Sequence, residues 1–245
     1  MSPLIIVAIV VAGFVGVIGY GYWWYNFGDG KSQRDAEAKQ ACERKSRLLA
    51  RGWYYEEVGE GDIRYRVRGR TEEGVEWVLH YDTDHSSSSS TPELLFRVAS
   101  LATGHYVWHI DDRPSFELVQ GKVMKAVISG LASLASKLSD TLRIKNEFYA
   151  AAKALPVGGT TFSKRFVLVA TDARWSSLVD FETERLILNL PPFKPGMSRA
   201  DNCLSAGLDP QGLMVKLYVD APSTAVIEHI IRLGQLLADR SSRLG

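Results

Sequence analysis

The sequence predicts an α+β protein, with a single N-terminal transmembrane helix followed by a soluble domain in which helices pack on an antiparallel sheet. Three observations predict it. Residues 3–25 contain no charged side chain. The segments after residue 53 alternate apolar and polar residues in pairs joined by short turns, which is the pattern of hairpins. Near the C-terminus Val226, Ile230, Leu233 and Leu237 recur at the spacing of one helix face.

The first element is "PLIIVAIVVAGFVGVIGYGYWWY", residues 3–25. As a helix it would reach ~34 Å, enough for a ~30 Å hydrocarbon core. No Lys or Arg precedes it, and its apolar run is longer than that of a cleaved signal peptide. Lys31, Arg34, Lys39, Arg44, Lys45, Arg47 and Arg51 all follow it. The positive-inside rule then predicts a single-pass membrane protein with its short N-terminus outside and its C-terminal domain cytoplasmic. Ala8, Ala12 and Gly16 recur every four residues, a stripe on which another membrane helix could pack closely. Tyr20, Tyr22, Trp23, Trp24, Tyr25 and Phe27 form a ring belt suited to the headgroup zone.

Four regions follow from this reading: an anchor (1–27), a charged juxtamembrane stalk (28–52), a β-rich region followed by helices (53–155), and a β-α-β-β-α region (156–245). The last two are open to forming one domain. In the stalk, Ser32 suits a helix N-cap and Gly52 a helix stop, giving a helix over 32–50. "IRYRVRGR" (63–70) and "VEWVLHYD" (75–82) alternate strictly around the turn "TEEG" and predict a hairpin with one apolar face. "ELLFRVASL" and "GHYVWHI" read as two further strands, Lys122–Leu138 and Asn146–Leu155 as helices. In the last third "KRFVLVAT" is a strand and Ser176–Leu190 a helix. "NCLSAGL" and "LMVKLYV" make a hairpin around Asp209-Pro210-Gln211-Gly212, a type I turn sequence, and a final helix starts near Pro222-Ser223.

Composition excludes several function classes. The net charge of +1 gives no global reason to expect nucleic acid. Two cysteines, Cys42 and Cys203, exclude a disulfide-dense scaffold and any CxxC metal or redox motif, though a bridge between them stays open.

The most regular polar feature is Arg64, Arg66, Arg68 and Arg70, one face of a strand. It could dock on anionic headgroups or an acidic partner, or face solvent paired with Glu76 and Asp82 across the hairpin. "HYDTDH" places His80, Asp82 and Asp84 on one strand face with His85 beyond, and His105 and His109 on a neighbouring strand. A zinc site needs three or four ligands converging within ~2.2 Å of the ion. One strand face spaces its side chains ~7 Å apart, so no metal site is assigned. Asp111 and Asp112 are paired carboxylates beside His109, but neighbours on a strand point oppositely, so no catalytic residue is assigned. "DGKS" lacks the strand and the first glycine of a phosphate loop. His229 reads as a surface or interface residue.

The functional expectation is a non-catalytic accessory or scaffolding subunit of a larger membrane complex, without a cofactor. Its partners would be other transmembrane subunits and membrane lipids, not nucleic acid. The alternatives are a membrane-tethered enzyme or ligand- or metal-binding domain using residues 80–112, and a sensor of anionic lipid surfaces using the arginine face.

Overall fold

The computed structural model describes residues 16–20, 29–58, 63–83, 92–113, 140–190 and 204–245. The chain divides into two units, residues 1–50 and 51–245.

The first unit corrects the expected membrane helix. Among the described residues no helix is long and apolar enough to cross a membrane. Of the expected span, only residues 16–20 are described; they are helical, with exposed side chains. The helix α1 (Asp29–Ala50) has the length, at 22 residues, but is studded with charges from Lys31 to Arg47. The membrane component of the fold class, the single-pass localisation and the membrane character are all overturned by this finding. Ala8, Ala12, Tyr22, Trp23, Trp24, Tyr25 and Phe27 lie outside the described residues. The α+β class with an antiparallel sheet stands.

In the second unit nine strands form one sheet: β1 (Tyr54–Glu57), β2 (Ile63–Arg70), β3 (Glu76–Asp82), β4 (Glu93–Val98), β5 (Trp108–Asp112), β6 (Lys153–Leu155), β7 (Phe166–Ala170), β8 (Leu204–Asp209) and β9 (Gly212–Tyr218). Their order across the sheet is β1-β2-β3-β4-β9-β8-β5-β7-β6. Every neighbouring pair is antiparallel. The late hairpin β8–β9 is thus inserted between β4 and β5, which come more than ninety residues earlier in the chain.

The core sits on one face. Val67, Leu79, Phe96, Val215, Ala206, Ile110 and Leu168 are register partners on seven adjacent strands, and all are 0% exposed. Above them lies α5 (Thr224–Leu244), started by Ser223, whose hydroxyl accepts from the Val226 N–H at 3.4 Å. Its buried stripe, Ile227, Ile230, Ile231, Leu233, Gly234, Leu237 and Ala238, packs on β4 and β9. The preceding α4 (Phe181–Leu188) and the 3-10 helix Ala173–Leu178 pack beside it, and the six-residue α3 (Thr160–Arg165) leads into β7. Aromatic rings fill the β1–β3 end: Tyr55, Tyr65 and Tyr81 stack in a row at 5.6 and 5.2 Å. Trp77 stacks on Phe96 at 5.4 Å. The opposite face is covered at its other end, where Phe148 of α2 (Asp140–Ala151) buries Val167 and Val169 with Tyr106, Tyr149 and Ala152. That explains why β7 is buried on both faces.

Three local expectations change. The helix expected over Asn146–Leu155 is α2, ending at Ala151, after which β6 adds an edge to β7. The helix expected over Ser176–Leu190 is split into the 3-10 helix and α4, because Asp180 caps α4 through the Thr183 N–H at 3.0 Å. His229 is part-buried, its Nε2 2.6 Å from the Leu186 carbonyl oxygen in the last turn of α4, not a solvent-facing residue. The helix expected over Lys122–Leu138 lies outside the described residues.

Asp180 also anchors α5. Arg240 donates to its carboxylate at 2.5 Å, to Thr183 Oγ1 at 2.7 Å and to the Leu178 carbonyl at 3.1 Å. The hydrogen bond from Arg240 holds the Asp180 carboxyl well below its usual range, at about 2. A depressed folded value contributes stability at pH above the unfolded value near 3.8, and that contribution is lost as pH falls through about 2. Asp180→Ala is expected to cost ~1 kcal/mol at pH 7 through the lost cap. Urea melts repeated between pH 5 and pH 2 should converge for the two proteins. An undiminished gap at pH 2 would refute the assignment.

Candidate functional site

The arginines of β2 lie on the face opposite the core. Arg66 pairs in register with Glu56 and His80, Arg68 with Tyr54 and Val78, and Arg70 with Glu76. Period-2 geometry puts Arg66, Arg68 and Arg70 on one side, as the sequence indicates, whereas a register shift between Ile63 and Tyr65 takes Arg64 out of the alternation. The structure adds how each is engaged. Arg64 Nε donates to Thr83 Oγ1 at 2.9 Å. Arg70 pairs tightly with Glu76 at 2.7 Å. Arg66 and Arg68 share one carboxylate, Glu56, at 3.5 and 3.6 Å, both beyond good hydrogen-bond distance.

A groove of about 720 Å³ opens at this end of the sheet, lined by Arg51, Tyr54, Arg68, Arg70, Val78 and Arg97 among others. Glu76 is the one carboxylate in a lining that carries four guanidinium groups. Arg97 approaches Asp209 at 3.5 Å and Arg51 approaches Glu228 at 3.3 Å. Three nitrogens beside the groove, Arg66 Nε, Arg97 Nη1 and His80 Nδ1, are buried without a hydrogen-bond partner among the described residues. Burial first, then the charges of Arg66 and Arg68, holds the His80 imidazole below its ordinary value, against the opposing pull of Asp82. At neutral pH His80 is therefore an uncharged residue on a basic surface.

The histidine and aspartate cluster does not assemble. His80 and Asp82 share a face of β3, whereas His109 lies on β5, four strand spacings or ~19 Å away. His105 sits in an exposed turn with Nδ1 2.9 Å from the Thr103 carbonyl oxygen. Asp84 and His85 lie outside the described residues. Among the described residues no group of three His, Cys, Asp or Glu is placed to hold a metal ion.

Around His109 the fold builds a different cluster. His109 Nε2 is 2.7 Å from Ser205 Oγ and 3.1 Å from Asp111 Oδ1. Tyr149 donates its hydroxyl to Asp111 Oδ2 at 2.7 Å. Burial, with the Asp111 charge beside it, pushes the Tyr149 phenol far above its ordinary range, so it remains a donor at all working pH values. A serine at 2.7 Å from a histidine nitrogen is the contact of a nucleophile and its base. Here, however, the carboxylate sits on the same nitrogen as the serine. A base that is oriented for catalysis has its carboxylate on the other nitrogen, Nδ1. His109 is also only 3% exposed. The arrangement is a buried latch holding α2 against β5 and β8.

Sequence reasoning placed the β2 arginines on one face and missed Glu56, Arg97, Tyr54, Ser205 and Tyr149. Arg97 carried a usable signal, since it continues the alternation of β4. Ser205 and Tyr149 carried none, because their partners lie 94 and 38 residues away in sequence. Of the membrane-stripe and belt residues only Gly16 and Tyr20 are described, both helical and exposed. Cys42 is a free, exposed thiol on α1, and Cys203 lies outside the described residues. No protein-family model matches this chain, and neither a curated protein nor a solved structure matches it.

Proposed function

We propose that residues 51–245 form a non-catalytic interaction domain, an accessory module that docks an acidic surface of a partner protein against the arginine-bearing face of β2, β3 and β4. The observation that carries this reading is the groove lining, with four guanidinium groups to one carboxylate in about 720 Å³. Arg68 and Arg70 are 52% and 69% exposed in their side chains, so an incoming carboxylate reaches them without rearranging the core. Planar guanidinium groups take carboxylates in paired hydrogen bonds, which gives such a face orientation as well as attraction. Tyr54 and Val78 offer apolar contact between the charges.

The test is binding of a fluorescent hexaglutamate peptide to the full chain, read by anisotropy. The unaltered chain is expected to bind it in low salt and to release it as ionic strength rises through ~0.15 M, where screening falls to ~8 Å. The variant Arg68→Glu/Arg70→Glu is expected to bind at least ~10-fold more weakly, since charge reversal turns attraction into repulsion at the same positions. Equal binding by both proteins would overturn the reading.

A further inference from the structure

We infer that the anionic group this groove selects is a phosphomonoester on a partner polypeptide, a phosphoserine or phosphothreonine side chain. The inference rests on the docking reading above and specifies its ligand. The charge bookkeeping of the site points to it. Arg70, Arg51 and Arg97 each have a carboxylate of their own in Glu76, Glu228 and Asp209. Among the described residues Arg66 and Arg68 share the single carboxylate of Glu56. The pairs at Arg66, Arg68 and Arg97 are loose, 3.5–3.6 Å, and those are the three arginines grouped around His80. Beneath them Arg66 Nε and His80 Nδ1 are buried without a hydrogen-bond partner among the described residues, and Arg97 Nη1 makes only its long 3.5 Å approach to Asp209.

Guanidinium groups that are loosely paired and border an open groove gain most from a ligand with several strong, charged acceptors. A carboxylate brings one charge and two oxygens in a plane. A phosphomonoester brings a charge of about −2 near neutral pH and three acceptor oxygens arranged in space. That matches guanidinium groups approaching from β1's neighbour β2 and from β4 at different angles. Arg68 and Arg97 line the groove, with side chains 52% and 22% exposed, and Arg66, 25% exposed, adds its charge from two residues away on β2. Neutral His80 between them can donate or accept without adding a competing charge. A peptide in place of a small molecule is indicated by the surroundings. The groove is open to solvent, and Tyr54, with 59% of its surface exposed, flanks Arg68 on the four-residue edge strand β1. Arginine clusters that read phosphorylated segments combine these two elements, a charged socket and an adjoining apolar contact.

The experiment measures anisotropy of three labelled nonapeptide pools on the full chain, each pool random except for its centre, which is phosphoserine, serine or glutamate. The phosphoserine pool is expected to bind at least ~10-fold more tightly than the glutamate pool, and the serine pool not measurably. Arg66→Gln/Arg68→Gln is expected to remove the preference for phosphate, with its fold checked by circular dichroism. Tyr54→Ala, at an exposed edge position, is expected to weaken the phosphopeptide while leaving competition by inorganic phosphate unchanged. Equal binding of the phosphoserine and glutamate pools would overturn the phosphate assignment while hexaglutamate binding still upholds the docking surface. Displacement of the phosphopeptide by inorganic phosphate at equal molar concentration would overturn the polypeptide part and leave a small-anion site. Loss of hexaglutamate binding itself would overturn the docking reading and this inference together.

Discussion

Replacing Trp108 by alanine is expected to cost about 4 kcal/mol, the largest single effect available in this chain, in the range for a fully buried aromatic truncated in a core. Trp108 is 0% exposed and sits on β5 between Leu208 of β8 and Ala170 of β7. Its indole nitrogen is buried without a partner among the described residues, so the substitution removes packing and sacrifices no hydrogen bond. The cost should therefore show as a cavity effect, partly recovered by Trp108→Phe, which refills most of the volume. Urea unfolding followed by far-ultraviolet circular dichroism gives the number. A loss below ~1 kcal/mol would mean that β5 is not an interior strand buried between β8 and β7, since surface substitutions lie within ~0.5 kcal/mol.

Gly234→Val should cost about 3 kcal/mol, at the upper end of what overpacking brings. Gly234 lies in the middle of α5, where its absent side chain lets the helix settle on β4. A Cβ there would stand 2.3 Å from Phe96 Cδ1 and 2.4 Å from Cε1. Phe96 is itself fully buried and stacked on Trp77, so its ring has nowhere to swing. Helix propensity predicts the opposite sign, since glycine is a poorer helix former than valine by roughly 0.3 kcal/mol. Close approach overrides propensity here. The diagnostic is the double variant with Phe96→Ala, which frees the space the new side chain needs. Its destabilisation should fall short of the sum of the two single losses by ~1–3 kcal/mol, a coupling that distant residues do not show. Strict additivity would break the proposed contact between α5 and β4.

Phe96 and Gly234 also show what kind of information a sequence holds. Alternation in "IRYRVRGR" and "EWVLHYD" is local, and it gave the β2–β3 hairpin and the sidedness of Arg66, Arg68 and Arg70, but not the register shift at Arg64. The turn Asp209-Pro210-Gln211-Gly212 gave the β8–β9 hairpin, in which Asp209 accepts from the Gln211 N–H at 2.7 Å. The stripe Val226, Ile230, Leu233 and Leu237 gave the buried side of α5, although Val226 itself lies at its half-exposed margin. Residues 153–155 were misread because three residues are too few to show a period, and their strand character comes from pairing with β7. The expected membrane helix rested on apolar length alone, and no helix of that kind occurs among the described residues.

The binding face divides in the same way. Its arginines were legible from parity. Glu56 as the shared carboxylate of Arg66 and Arg68, and Arg97 as a fourth guanidinium in the groove lining, depend on which strands become neighbours. His109 points the same lesson in reverse. By sequence it could be weighed with His80 and Asp82 as a ligand set, although strand spacing already spoke against a metal site. In the fold it is held by Ser205 and Asp111, beneath Tyr149, on the far side of the inserted hairpin.

By itself, then, the sequence determined the α+β class, the hairpins, the apolar stripe of α5 and the side of β2 that carries positive charge. Each of these follows from a repeat of 2 or 3.6 residues or from a turn, and such patterns lie within a dozen residues of chain. Only the tertiary structure decided that β8–β9 enters between β4 and β5, that Gly234 meets Phe96, and that Arg66 and Arg68 must share Glu56. Those are outcomes of long-range pairing, in which buried area summed over the whole sheet selects one arrangement, and no local pattern records that sum.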